Sequence, residues 1–384
     1  MWKLSSFAVA NRFCSTFGSM LNLTGTSRRT QVNTASGATE RERRPENRRI
    51  LHWVRIIGIG AICVVVVLAC TGAAYQWIAH NRDVYHNPPP GQLVDVGGYR
   101  MHIYCIGEGS PTVVLDSGLG DSWLPWYKVQ PSIAQFARVC SYDRGGLGWS
   151  DPSPHPRTSK VMAEELHTLL QRAGMAGPFV LAGHSFGGMN VRMYARLFPT
   201  EVAGVVLVDS VHPDQQRRRS PEQLRAIAAF LRVLGLKAHT IPFGVSRLMG
   251  WCGNGPAEIR PMLRTVECRW GPWQEHVAEE SSFEESAEGA RKAGPLGNIP
   301  LVVLSHDPDK LHPIPGSSPR PDKELNPQWE GLQSELAQLS TDSSRVIAKG
   351  SGHYIQYDRP DLVIEAVKRL VDQAGRVRPS HNEM

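Results

Sequence analysis

The chain has 384 residues, 41% of them hydrophobic and 8% aromatic, enough to build a sizeable buried core. Its formal net charge of +6 is unevenly placed. Residues 1–55 hold 10 Lys and Arg against 3 Asp and Glu, a net of +7, so the rest holds 32 against 33, a net of −1. A near-neutral body excludes nucleic acid as its partner, because that would require a basic face on the body itself. None of the seven cysteines forms a C-x-x-C pair, which argues against a zinc site.

Residues 1–55 read as a disordered basic segment, rich in Ser, Thr, Asn and Gly, with a nearly all-charged stretch from Glu40 to Arg49. Ile56 to Tyr75 then carries no charge, long enough to cross a bilayer. Trp53 and Trp77 flank it at interface positions, and Arg43, Arg44, Arg48, Arg49 and Arg55 precede it. The positive-inside rule places the N-terminus in the cytoplasm and exports the remainder. Residues 56–78 therefore read as a transmembrane signal anchor. A cleaved signal peptide ending near Gly72-Ala73-Ala74, or a lipoprotein signal at Val67-Leu-Ala-Cys70, are the alternatives. Residues 79–91, ending in Asn87-Pro-Pro-Pro-Gly91, read as a stiff linker.

From residue 92 the pattern is strands alternating with helices. Leu93 to Tyr104 reads as two strands turning at Gly97-Gly98. Pro111–Asp116 and Ala137–Tyr142 are short apolar strands. Thr158 is a candidate N-cap for an amphipathic helix over 159–173, with Met162, Leu166, Leu169, Leu170 and Ala173 at helical spacing. Phe179–Ala182 is a strand running straight into Gly183-His-Ser-Phe-Gly187, a G-x-S-x-G turn, and then into a helix. Val202–Val208 is the next buried strand. Residues 210–297 break the rhythm and read as a mostly helical lid insert. It contains Trp251, Trp270 and Trp273, which either line an apolar pocket or pack the insert, and the run Arg217–Arg219, read as a solvated face. Strands resume at Ile299–Leu304 and Ser344–Ala348, with helices at Trp329–Leu339 and after Pro360. The core thus comprises 92–209 and 298–373, and 374–384 is a polar tail. Alternating strands and helices imply a mostly parallel sheet with helices on both faces, an α/β fold. Cys105 and Cys140 fall in apolar strands and read as small core residues. Cys252 and Cys268 flank part of the insert, as a disulfide or as two free thiols.

A strand that turns at once into a helix strains the turning residue and holds Ser185 out at the strand end. A serine hydroxyl needs a base to take its proton and a carboxylate to orient that base. His353, in a Ser-Gly-His turn after the last strand, fits the base among fourteen histidines. His184 adjoins the serine but is expected to point the other way across the turn. Asp309, just past the penultimate strand, is the first choice for the acid, with Asp307 and Asp209 as alternatives. An oxyanion hole needs two backbone N–H groups, expected from Phe186 and from Leu119 in the loop after the 111–116 strand.

Ser117-Gly-Leu-Gly120, Tyr142-Asp-Arg-Gly-Gly-Leu-Gly-Trp-Ser-Asp151, Gly183-His-Ser-Phe-Gly-Gly188 and Ser351-Gly-His353 together resemble the α/β-hydrolase fold superfamily over about residues 91–373. The likeness is to the lid-bearing branch of esterases, epoxide hydrolases, haloalkane dehalogenases, carbon–carbon bond hydrolases and cofactor-free haloperoxidases. The dehalogenases and epoxide hydrolases of that branch carry an aspartate nucleophile where this chain has Ser185. The usual His-Gly of the oxyanion loop is Ser117-Gly118 here, and the usual Gly before the acid is His306. The resemblance implies a serine esterase or lipase-like hydrolase working through an acyl-enzyme, with no metal or organic cofactor and a small ester or lipid as substrate. An aminopeptidase or amidase, or a non-catalytic binding protein on the same scaffold, are the rival expectations.

Overall fold

The computed structural model describes residues 39–310 and 325–377. The chain divides into two compact units, one ending at Val64 and the other beginning at Val65. Helix α1 (Thr39–His86) contributes to both. Residues 39–55 are therefore helical where composition suggested disorder, and the linker shrinks to Asn87–Gly91. The physical reason is that the charged segment is built largely of Glu and Arg, good helix formers that extend a helix already nucleated downstream. Residues 1–38 of the basic segment lie outside the described residues, as do 378–384 of the tail.

In the second unit an eight-stranded sheet forms the centre. Its strands and the first helices are β1 (Gln92–Asp95), β2 (Arg100–Ile106), β3 (Thr112–Asp116), α2 (Gln130–Ile133), β4 (Val139–Tyr142), α3 (Ser159–Arg172), β5 (Phe179–His184), α4 (Phe186–Leu197) and β6 (Val202–Val208). The insert carries α5 (Pro221–Ala238), α6 (Val245–Leu248), α7 (Arg260–Glu267), α8 (Trp270–Ser281) and α9 (Phe283–Ala293). The core then resumes with β7 (Leu301–His306), α10 (Leu325–Ala337), β8 (Ser343–Ala348), α11 (Ile355–Asp358) and α12 (Pro360–Val377). The sheet order is β1-β2-β4-β3-β5-β6-β7-β8. β1, β2 and β4 pair antiparallel, and every pair from β4 to β8 is parallel.

Alternation along the strands sorts the core into two layers. Leu181, Val205, Leu207 and Val303 face α3 and α4 through Leu166, Leu169, Leu170, Val191 and Tyr194. Val180, Ala182, Val206, Val208 and Val302 face the other side, where Val363, Val367 and Leu370 of α12 cover them. Thr158 does cap α3, its hydroxyl accepting from the Val161 N–H at 3.4 Å.

Two expectations change here. Cys105 and Cys140 are directly opposed in the β2–β4 register and form a disulfide rather than packing as free thiols. The Arg217–Arg219 run is not a bare solvated face. Arg217 pairs with Glu284 and Arg218 with Glu335, so acids from α9 and α10 balance it. Cys252 and Cys268 are also disulfide-bonded, closing the loop before α7 onto that helix's C-terminal end.

Candidate active site

Ser185 joins β5 to α4 at φ 51°, ψ −117°, outside the regions that L-residues favour. The strain is held by hydrogen bonds on both sides. The Ser185 N–H donates to Val208 O at 3.0 Å, and its carbonyl accepts from Gly188 at 3.1 Å and Val211 at 3.1 Å. Gly187 is obligatory because a Cβ there would collide with the Asp116 carbonyl at the end of the neighbouring strand. The serine thus stands between β5 and the first turn of α4, whose free N–H groups favour a developing negative charge.

His353 follows β8, and its Nδ1 lies 2.6 Å from Asp209 Oδ2. Asp209 ends β6, the strand beside β5, so the turn carrying Ser185 and the turn carrying Asp209 are neighbours. It too is strained, at φ 44°. The carboxylate accepts further hydrogen bonds from the His306 N–H (3.0 Å), the His306 ring Nδ1 (2.9 Å) and the Trp329 indole (3.0 Å). Burial would raise its pKa, but the hydrogen bonds from His306 and His353 outweigh burial and hold it well below the usual carboxylate range. Asp209 is therefore a fixed negative charge.

The first choice for the acid is not brought to the base. Asp309 is exposed and its nearest charge is Lys349, 3.4 Å away. Asp307 caps its own turn, accepting from the Asp309 N–H at 3.0 Å; it also accepts from the Gly350 N–H at 2.7 Å and pairs with Lys349. The end of β7 presents His306 instead, which reaches sideways to Asp209. His184 is likewise closer than expected. Its ring centroid is 4.7 Å from that of His353, and its Nε2 is 3.0 Å from the His353 carbonyl. Burial, then the nearby His353, push its pKa down to about 3, so it stays neutral. A neutral ring at this contact donates from Nε2 and fixes the backbone of His353.

Leu119 packs against the cluster that contains Phe186, and Gly120 turns the loop at φ 72°. Behind this loop is a network that sequence reading missed. The Arg144 guanidinium donates to Asp116 (2.8 Å), to the Ser117 (2.9 Å) and Gly118 (2.7 Å) carbonyls, and to both oxygens of Glu279 (2.6 and 2.9 Å). Glu279 in turn accepts from the Gly120 N–H at 2.8 Å. Asp143, in the same Tyr142–Asp151 motif, accepts from His102 (2.8 Å) and from the Trp123 (2.8 Å) and Trp149 (2.9 Å) amides. That motif is structural: it builds and braces the Ser117–Gly120 loop.

A cavity of about 290 Å³ adjoins the loop, lined by Leu119, Gly120 and Tyr354 from the core and by Leu234, Ile241, Trp251 and Trp273 from the insert. Two of the three tryptophans therefore face the cavity, while Trp270 stacks on His239 at 5.0 Å. Asp121 and Glu267 also line it. Burial pushes Asp121 up to about 6 and Glu267 up to about 8. Among the described residues, no group of three or more His, Cys, Asp or Glu is placed to hold a metal ion.

Glu267 has a measurable consequence. It stays protonated in the folded chain while the unfolded chain ionises, so between about 4.5 and about 8 the folded state binds more protons. Stability from this group is full below about 4.5 and declines as pH rises to about 8. The melting temperature of Glu267→Gln is expected to fall less than that of the wild type as pH rises from about 5 to about 8, within this window. Parallel melting curves over that interval would overturn the assignment.

A sequence model described as the alpha/beta hydrolase fold matches residues 111–233, spanning β3, the Ser185 turn and the first insert helix. The chain has the α/β-hydrolase fold. Solved structures superpose on it. A putative lipase from Acinetobacter baumannii superposes with a TM-score of 0.57 at 19% identity, over 79% of this chain and 97% of that one. A thermophilic esterase from Thermogutta terrifontis gives 0.51 at 22% identity, over 74% and 98%. In sequence, the uncharacterized protein YqjL of Bacillus subtilis is 27% identical over 263 residues, 68% of this chain and 83% of that one. The chain spans about half the length of three further curated relatives.

Proposed function

We propose that this hydrolase-fold protein is a serine hydrolase of carboxylic esters, with Ser185 as nucleophile, His353 as base and Asp209 as the orienting acid. The observation that carries the reading is the 2.6 Å contact between His353 Nδ1 and Asp209 Oδ2, on the loop edge next to the strained Ser185. That contact holds the proton on Nδ1 and leaves Nε2 as the basic nitrogen. The Ser185 hydroxyl attacks the ester carbonyl as its proton passes to His353. The tetrahedral oxyanion is held by the Leu119 and Phe186 N–H groups. Collapse expels the alcohol with the proton from His353. Water, activated by the same ring, then releases the acid and restores Ser185. The apolar run of α1, long enough to cross a membrane by length and composition, tethers the enzyme, and the arginines before it place the hydrolase unit outside the cytoplasm.

One experiment addresses both parts. A membrane-impermeant fluorophosphonate is expected to label the full-length protein on intact cells and to leave Ser185→Ala unlabelled. Labelling only after lysis would reverse the orientation. Absence of labelling in folded, purified wild type would remove the serine nucleophile. Turnover of short-chain p-nitrophenyl esters but not of amino-acid anilides is expected, and the opposite preference would favour an amidase.

A further inference from the structure

The insert exposes an unusual amount of apolar surface. Of the eighteen residues of α5 only Ala238 is buried. The stretch Pro221–Phe243 is long and apolar enough to meet the criterion for a membrane span, yet it lies on the outside of the unit. Val233 (50% exposed), Leu236 (69%), Phe243 (45%), Leu248 (68%) and Met249 (58%) stand open to solvent along α5 and the segment after it. A water-soluble face would not ordinarily leave such a group uncovered.

The position of this face relative to α1 indicates what covers it. Within the second unit, Gly72 of α1 packs against the Phe243 carbonyl, and Gly244 leaves no room for a side chain beside the Tyr75 ring. One turn on, Gln76 donates to the Cys268 carbonyl at 2.6 Å and Arg247 pairs with Asp83. Gly72 and Tyr75 belong to the last turn of the uncharged run, and Gln76 and Asp83 lie just beyond it. The Phe243–Met249 segment is thus fastened to the helix at the depth where hydrocarbon gives way to headgroups. α5 carries Arg225, Arg232 and Lys237 against Glu222, the cationic balance of a helix that lies in an interface. The cavity beside the oxyanion loop is lined by Leu234, Ile241 and Trp251 of this same segment.

We infer that the α5–α6 face of the insert lies in the lipid bilayer surface, continuous with the anchor helix, and that the enzyme draws acyl esters dissolved in the bilayer through this face into the cavity beside Leu119. The substrate class is a membrane-partitioned, long-chain ester rather than a water-soluble one. This rests on the esterase reading above for its substrate but not for its surface.

The test uses the full chain reconstituted into phosphatidylcholine vesicles, with Cys14, Cys63 and Cys70 replaced by Ala and a nitroxide attached at Leu236→Cys or Leu248→Cys. Both labels are expected to be relaxed strongly by oxygen and weakly by a water-soluble nickel chelate, as a label at Ile62→Cys in the span should be, and unlike one at Lys368→Cys. Stronger relaxation by the chelate would overturn the surface assignment. So would dipolar broadening between labels, which would mean a second copy of the chain covers the face. The second arm compares p-nitrophenyl acetate with p-nitrophenyl palmitate carried in the vesicles. Leu236→Glu/Leu248→Glu is expected to lose at least about tenfold on the palmitate while keeping its acetate rate, since neither side chain lines the cavity. Equal retention on both esters would overturn the substrate route. If the wild type cleaves neither ester, the esterase reading fails, and the nitroxide result still decides the surface.

Discussion

Asp209→Asn is expected to lower kcat on an ester substrate by on the order of 10³–10⁴-fold with KM little changed. Asp309→Asn and Asp307→Asn should each stay within about twofold of wild type, the range of an ordinary surface substitution. Asp209 accepts from the His353 ring at 2.6 Å and from three other N–H groups, so its carboxylate is fully occupied by donors. An Asn of the same shape must turn an NH₂ toward at least one of them. Turned toward His353, it would face an N–H with another N–H and force the proton onto Nε2, the nitrogen that must take the serine's proton. Binding of the ester is untouched, because Asp209 is buried behind the histidine and meets no substrate. Asp309, by contrast, is exposed and, among the described residues, pairs with Lys349. Steady-state kinetics on the three variants decide the matter. A full loss in Asp309→Asn with an active Asp209→Asn would transfer the role.

The sequence ranked Asp309 first, yet the carboxylate that meets the His353 ring is Asp209. The Ser185 turn was legible because its signal is local: apolar strand, glycines, apolar helix. His353 was legible because it follows the last strand of a fold whose order was already clear. The acid was ranked by position along the chain, after β7. Which carboxylate meets His353 depends on which strand lies beside β5, and that is β6. His306 stands at the end of β7, where the family resemblance expected glycine, and its ring supports Asp209 from the next strand. The departure was visible in the sequence, but its meaning required the sheet order. The Cys105–Cys140 bond has the same cause, since no sequence pattern gives the register of two strands 35 residues apart. The break in strand rhythm was readable, and helices α5 to α9 fill it between β6 and β7. The contacts these helices make with the core were not readable.

One of those contacts, between Arg144 and Glu279, sets the second prediction. Arg144→Met is expected to destabilise the folded chain by about 3–5 kcal/mol, and Glu279→Gln by less, because the two leave different charges behind. Arg144, Asp116 and Glu279 are all buried, with side-chain exposures of 2%, 0% and 0%. Removing the arginine strands two carboxylates without a counter-ion and frees the Ser117 and Gly118 carbonyls. Removing the charge of Glu279 leaves Arg144 still paired with Asp116 and leaves an amide oxygen to accept from Gly120. Arg144→Lys should behave more like Met than its charge suggests, since an ammonium cannot reach both carboxylates and two carbonyls at once. Urea unfolding at neutral pH measures the stability order, and Arg144→Met no less stable than Glu279→Gln would contradict it. The same clamp has a kinetic reading. Glu279 belongs to α8 of the insert, and it grips the loop that offers the Leu119 N–H. Residual folded Glu279→Gln should therefore lose kcat with a smaller change in KM, because a loosened donor is missed most when the oxyanion forms. It follows that α8 cannot swing away as part of a mobile lid without breaking the Glu279 bonds to Arg144 and to the Gly120 N–H, which on the proposed reading dismantles the oxyanion loop. Whatever opening admits substrate must occur elsewhere in the insert, on the α5–α6 side where the apolar face and the cavity meet.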